Sequence, residues 1–449
     1  MKIGNRTLGR ANRRAALAFI YVTIVLDTLA LGILIPVLPP LLRDFVGGDK
    51  VVAAATYGLL VTIWGLMQFL FSPLIGVLSD RFGRRPVLIL SGSGLGLDYI
   101  IMALAPNLAW LFLGRILSGI TSSSFATAAA YVTDVTPVER RAGAFGMVGA
   151  AWGIGFILGP AIGGVMGNFG LRVPFWGAAV FSLASATYGL FVLPESLPRE
   201  HRQRFAWRRS NPIGSLTLLR SHPTLLGLAA VTFVQFMAFQ VLPTVYVLYA
   251  YDRFGWQQFQ VGLSLALVGA LNITVQGGLV RRFIQRFGER KALLTGLLFG
   301  SAAMVVWGLA PNDVVLLLAA FVFAPIGFVA PALQSLMTRR VGPSEQGQLQ
   351  GANASIAGLT GAVGPIFFGL VYSLALGSRA QFDLLGLPFL VAAVLMLASV
   401  GVAIRVTRTT SEEAAPRSSV IPAGGEAGTS AVSFVDPKGP VELRWSAIR

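Results

Sequence analysis

Three ionisable side chains interrupt long apolar stretches: Asp27, Asp98 and Arg115. A charge at the centre of a bilayer costs roughly 2.5–3.5 kcal/mol on insertion scales, so such groups mark functional positions by default. A carboxyl group in low dielectric holds its proton more readily than in water, and a nearby guanidinium favours its release. Alternation between those surroundings would load and unload a proton. The bland reading is a static Asp–Arg pair that locks helices together. No other acid lies at similar depth, so Arg115 is expected within reach of Asp27 or Asp98. Depth favours Asp98, because at ~1.5 Å per residue it and Arg115 come out nearly level in adjacent helices.

The remaining chemistry is uncharged. Apolar runs of the C-terminal half carry amides, Gln235, Gln240, Asn272, Gln276, Gln334 and Asn353, and Gln68 joins them from the N-terminal half. These are candidate substrate contacts. Their distribution predicts that the first half handles protons while the second recognises a solute. Cys is absent, which excludes disulfides, thiolate metal sites and Cys nucleophiles. His201 and His222 fall in one polar segment, so neither a metal site nor a resident cofactor is expected. No nucleophile–base constellation is visible either, which argues against an enzyme.

Two further motifs concern movement. Gly76, Ser79, Asp80, Arg81, Gly83, Arg84 and Arg85 fall in one short turn. Gly83 permits the reversal, the Arg residues anchor at a membrane face, and Asp80 suits a helix N-terminus. Positive anchoring alone would explain the arginines but not the acid among them. Gly155, Gly159, Pro160, Gly163 and Gly164 place small residues four apart around a bend, which allows close helix approach. Function enters there if the bent pair seals one end of a pathway.

These residues need a scaffold, and composition names it. The chain of 449 residues is 55% hydrophobic and 12% charged, which excludes an ordinary soluble enzyme and a disordered protein. Runs long enough to span ~30 Å of hydrocarbon lie at 16–39, 54–78, 87–105, 109–133, 142–166 and 173–193. Six more follow at 224–249, 259–280, 292–310, 314–336, 350–375 and 384–404. Twelve spans put both termini on one side. With that side cytoplasmic, inner segments hold 29 of the 35 Lys and Arg. The net charge of +16 is therefore an orientation signal spread over short turns, not a nucleic-acid surface. The expected divisions are a basic N-terminus 1–14, a six-helix bundle 15–193, a linker 194–222, a second bundle 223–405 and a disordered tail 406–449.

An offset of 205 aligns the halves. Arg81-Phe82-Gly83 falls on Arg286-Phe287-Gly288, and Ala105-Pro106-Asn107 on Ala310-Pro311-Asn312. Gly146, Gly153, Gly159 and Pro160 fall on Gly351, Gly358, Gly364 and Pro365. Two parallel six-helix repeats follow, and transporters so built hold substrate near the midplane between halves.

Together the turn motif, Arg115-Ile-Leu-Ser-Gly119 and Gly155–Gly164 resemble the signatures of the major facilitator superfamily, the last typical of drug/proton antiporters. A closer likeness is to the tetracycline-resistance efflux proteins, carried by Leu26-Asp27-Thr28, Pro36-Val-Leu-Pro39, Asp98-Tyr99, Pro331-Ala-Leu-Gln334 and Gln346-Gly-Gln-Leu-Gln-Gly351. The resemblance implies an all-α membrane protein of twelve helices in two pseudo-symmetric bundles. It implies a monomeric inner-membrane antiporter that exchanges protons for a small amphiphilic drug by alternating access, the drug travelling as a metal chelate. The family's functional acids and arginine map onto Asp27, Asp98, Ser79, Asp80, Arg84 and Arg115, with Asp134 closing the fourth helix. Family architecture makes Asp27 the preferred partner of Arg115. Family members carry an acid in the ninth helix and often a His in the eighth, where this chain has Gly300 and Asn272. The other readings are an exchanger of a different solute and, from another class, a non-transporting receptor or scaffold.

Overall fold

The computed structural model describes residues 10–122, 125–137, 140–202, 219, 223–341, 345–377 and 384–413. Expectations for the extreme N-terminus, for most of the linker and for the tail beyond 413 lie outside those residues. Every regular element among them is helical.

The first half contains span 1 (Arg10–Leu34), span 2 (Lys50–Phe82) and span 3 (Arg84–Ala103). Span 4 comes in two pieces, Leu108–Thr121 and Phe125–Val135, before span 5 (Arg141–Gly167) and span 6 (Val173–Val192). In the second half, span 7 runs from Pro223–Phe239 into Val247–Phe254, and span 8 is Gln258–Thr274 with its continuation Val275–Leu279. Gly288 (φ 82°) breaks the helix Val280–Leu309, and span 9 is the part after it. Span 10 runs from Asp313–Phe323 to Val329–Thr338, span 11 is Gln346–Gly377 and span 12 is Leu387–Glu413.

Two boundaries differ from the sequence reading. The first run does not continue to 39, because the chain turns after Leu34 and starts a short helix, Leu38–Phe45. Pro36 explains this: it lacks an N–H and disfavours helical geometry just before it, while Pro39 is tolerated in the first turn of the short helix. In the fourth run the first α-helical piece ends at Thr121 and the second starts at Phe125, and residues 123–124 between them lie outside the described residues. The last helix passes the expected boundary at 405 and reaches Glu413.

The repeat is visible in backbone detail. Gly83 (φ 105°) and Gly288 (φ 82°), 205 positions apart, make the same reversal with a backbone that L side chains rarely adopt. Asn107 and Asn312 are both extended residues opening the next helix, and Asn312 Oδ1 accepts from Val315 N at 3.0 Å.

Two seams join the halves, span 2 against span 11 and span 5 against span 8. They use corresponding words. A methyl group on Gly58 would lie 2.6 Å from the Pro365 carbonyl oxygen and 2.9 Å from Gly369 Cα. One on Gly262 would strike the Pro160 carbonyl and lie 3.2 Å from Gly164 Cα. Pro160 and Gly164 become Pro365 and Gly369 on adding 205. All these contacts lie toward the end carrying residues 43–50 and 252, the far face. Toward the other end, the basic face, Gly76, Gly149, Gly277 and Gly278 on three of these four helices have no such neighbour within 4 Å. The glycines that meet the opposite half lie toward the far face and the middle of these helices.

Candidate functional site

Asp98 and Arg115 come together because spans 3 and 4 pack side by side with a glycine at the crossing. A methyl group on Gly114 would lie 2.8 Å from Asp98 Oδ1. Asp98 is fully buried and Arg115 is 6% exposed. The charge of Arg115 acts on Asp98, and on Tyr57 and Tyr99 as well. Ser118, one turn further along span 4, lies near the same carboxylate without a formed hydrogen bond to it.

Asp27 stands on span 1 and is half-buried, with Ser185 of span 6 as its hydroxyl neighbour. Span 5 is held directly against this stretch: a methyl group on Gly155 would lie 2.7 Å from Thr28 Cβ and from the Val25 carbonyl oxygen. Gly159 and Gly163 meet Gly32 and Ile33 of span 1, while Pro160 and Gly164 meet span 8. The small-residue motif therefore joins the acid-bearing helix to the seam between halves.

Among the described residues Arg115 makes no ion pair within 4.0 Å. Both oxygens of Asp98, Asp27 Oδ1, Arg115 Nε, Tyr99 Oη and Ser118 Oγ are buried without a hydrogen bond. The static pair that would merely lock helices is not formed. Of the two expected partners, Asp98 rather than Asp27 feels the guanidinium, because the Gly114 crossing brings spans 3 and 4 together at that depth.

At the basic face the turn motif is a tight network. Arg84 Nη1 lies 2.6 Å from Asp80 Oδ1 and donates to Ser79 Oγ at 2.6 Å, and Nε donates to Asp134 Oδ2 at 3.2 Å. Ser79 in turn donates to the Gly76 carbonyl at 2.7 Å. Arg81 stacks over Phe82, and Arg85 Nη2 donates to the Leu190 carbonyl at 2.6 Å. Asp80 does not serve the helix N-terminus as expected. That place belongs to Glu195, whose Oε1 accepts from the Arg84 amide at 2.9 Å, while Ser196 donates to Asp134 at 3.0 Å. Asp80 pairs instead with Arg84, across the Gly83 reversal between spans 2 and 3.

The second half repeats this pair with its signs exchanged. Arg84 and Asp134 correspond at 205 residues to Glu289 and Arg339. Arg339 pairs with Glu289, which also accepts from Ser335 at 3.2 Å. The sequence words that showed the repeat did not include these positions, since a charge exchange removes identity.

The amides are not one cluster. Asn353 Nδ2 donates to Gln334 Oε1 at 3.3 Å, joining spans 11 and 10. Gln276 donates to Asn272 along span 8, beside the widened turn Val275–Leu279. Gln240 lies against Gly361 and Gly364 of span 11. Gln235 is buried within its half, and Gln68 is half-buried on span 2. A methyl group on Gly300 would lie 2.6 Å from Ile326 Cδ1 and 3.0 Å from Met396 Sδ, an apolar setting.

One charged group escaped the sequence reading. Asp252, at the far end of span 7, has a side chain that is 0% exposed. Its Oδ1 accepts from Arg43 at 2.7 Å and Lys50 at 2.9 Å, and its Oδ2 from the Tyr372 hydroxyl at 3.0 Å. A position at a span end looked solvated, and its cations are about 200 residues away in the chain.

The sequence profile of the Major Facilitator Superfamily matches residues 20–283 and again 277–448. The chain belongs to this superfamily. It is 38% identical over 382 residues to the tetracycline resistance protein, class C, of Escherichia coli, covering 85% of this chain and 94% of that one. The class G protein of Vibrio anguillarum is 37% identical, with 79% of this chain and 89% of the relative covered. Among solved structures, a bacterial homologue of the human lysosomal transporter Spinster, inward-facing and unoccupied, superposes with a TM-score of 0.73. It shares 18% identity and covers 90% of this chain and 99% of that one. This major facilitator chain is a multi-pass membrane protein and not an enzyme.

Proposed function

We propose that the chain exports a small amphiphilic drug, tetracycline-like, in exchange for protons, acting as a monomer by alternating access. The observation that carries this reading is the half-buried Asp27, together with an Asp98–Arg115 pair that forms no ion pair, in two halves whose close glycine contacts lie toward the far face and the middle. In this reading the basic face, with both termini, is cytoplasmic, as the positive-inside rule requires. Drug enters from that side. Asp27, Asp98 and Arg115 exchange the proton, while Gln240, Gln334 and Asn353 offer hydrogen bonds to the solute. The 38% identity to a tetracycline resistance protein supports the drug class.

A second reading keeps the exchange and changes the solute. It draws on the apolar setting of Gly300, where the resemblance implies an acid able to face a cationic metal–drug chelate. Everted vesicles decide between the two. Tetracycline with Mg²⁺ added to acid-loaded vesicles should raise their internal pH only when the chain is present. Proton release that ignores tetracycline but follows another amphiphile favours the second reading. No proton movement with any solute overturns both.

A further inference from the structure

We infer that Asp252 is the gate acid of the far face, a positioning residue that holds the two halves shut there during part of the transport cycle. The inference rests on the alternating-access reading above. Asp252 belongs to the second half, whereas both of its cations belong to the first: Arg43 from the short helix Leu38–Phe45, and Lys50 from the start of span 2. The Tyr372 hydroxyl, from span 11, belongs to the same half as the acid.

This division separates a gate from a plain folding staple. The Tyr372 bond is internal to one half and persists however the halves tilt. The Arg43 and Lys50 bonds cross the seam, so both must break whenever the far face opens. Opening places the acid on one wall and the two cations on the other. Charge-assisted bonds to a carboxylate sealed from solvent are about twice as strong as neutral ones, so they outweigh their neighbours. Those neighbours are Tyr251 Oη donating to the Pro36 carbonyl at 2.7 Å and Tyr57 Oη donating to the Pro243 carbonyl at 3.1 Å. They cross the same seam and register the halves. The two cations on one oxygen also make the gate redundant: losing either leaves the acid paired.

The chain has no Cys, so one introduced thiol reports the gate. Thr244→Cys is a small change at a fully buried position beside Pro243. An impermeant maleimide is applied to right-side-out and to everted vesicles. Labelling of this single-Cys chain from the far face should be slow. Adding Asp252→Asn, or Arg43→Gln with Lys50→Gln, should speed it roughly tenfold or more, the population shift a charge-assisted bond carries. Either cation variant alone should do less, and Asp252→Glu should restore the slow rate. Unchanged far-face labelling in Asp252→Asn and in the double cation variant overturns the assignment. If Asp252→Asn does not reach the membrane, the double cation variant, which alters two partly exposed side chains, decides by itself. Drug-driven proton release by the parent chain is measured in the same vesicles. If it persists while labelling is unchanged, the gate assignment falls and the transport reading stands.

Discussion

Asp27 and Asp98 are both carboxylates in apolar helices, yet their surroundings differ. Asp98 is sealed and lies in the field of Arg115, whereas Asp27 is half-buried and carries no such partner. Asp27→Asn keeps the shape and removes the charge. It should abolish drug-driven proton release in vesicles while leaving the amount of membrane-inserted protein unchanged; normal release would refute the role. Arg115 is tied to the other acid. Arg115→Ala leaves the Asp98 carboxylate buried without a compensating charge, at a cost on the order of 3 kcal/mol. Arg115→Ala with Asp98→Asn should therefore melt higher in detergent than Arg115→Ala alone, and equal melting would refute the coupling. The sequence exposed all three residues because a charge inside an apolar run is conspicuous. It did not decide the pairing, which depends on the Gly114 crossing between spans 3 and 4. Asp252 shows the converse: an acid at a helix end is inconspicuous until the fold buries it.

Helices in this chain are written twice, and what is shared between copies is geometry more than identity. Gly83 and Gly288 make the same turn, Pro160 and Pro365 sit at the two seams, and Arg84–Asp134 reappears as Glu289–Arg339 with the charges exchanged. The words with unchanged letters made the repeat legible in sequence. The exchanged pair was legible only once both copies were seen to form the same bond between the start of one helix and the end of the next. A consequence is that the sign at each position is free so long as the pair is opposite. Glu289→Arg should lower transport, and Glu289→Arg with Arg339→Glu should recover most of it. Because Arg339 is 66% exposed, the effect on stability should stay below about 1 kcal/mol in either variant. A double variant no better than Glu289→Arg, measured by drug efflux, would show that the polarity itself matters.

At the scale of the molecule the two bundles carry unequal chemistry. The acids at membrane depth, Asp27 and Asp98, both belong to the first half, and the second half offers amides, widened helical turns and an apolar environment at Gly300. Asp252 does not restore the balance, since all of its bonds are spent at the far face. The twelve-helix plan and its division into halves were legible because spanning length and a fixed repeat offset are properties of the chain itself. Where the halves come into close contact was not, because it depends on residues hundreds of positions apart. The asymmetry has a measurable result. The acid that the resemblance implies for the ninth helix would add a titrating group to the cycle, and here Ile326 and Met396 crowd the position where it would stand. Asn272, the counterpart of the His in the eighth helix, is engaged with Gln276 and does not ionise. Exchange should therefore move fewer protons per drug than in tetracycline exporters. Drug flux measured against separately imposed pH and voltage gradients gives the ratio directly. A ratio equal to theirs would mean that groups outside the two halves' membrane acids also carry protons, and the Gly300 and Asn272 argument would fail.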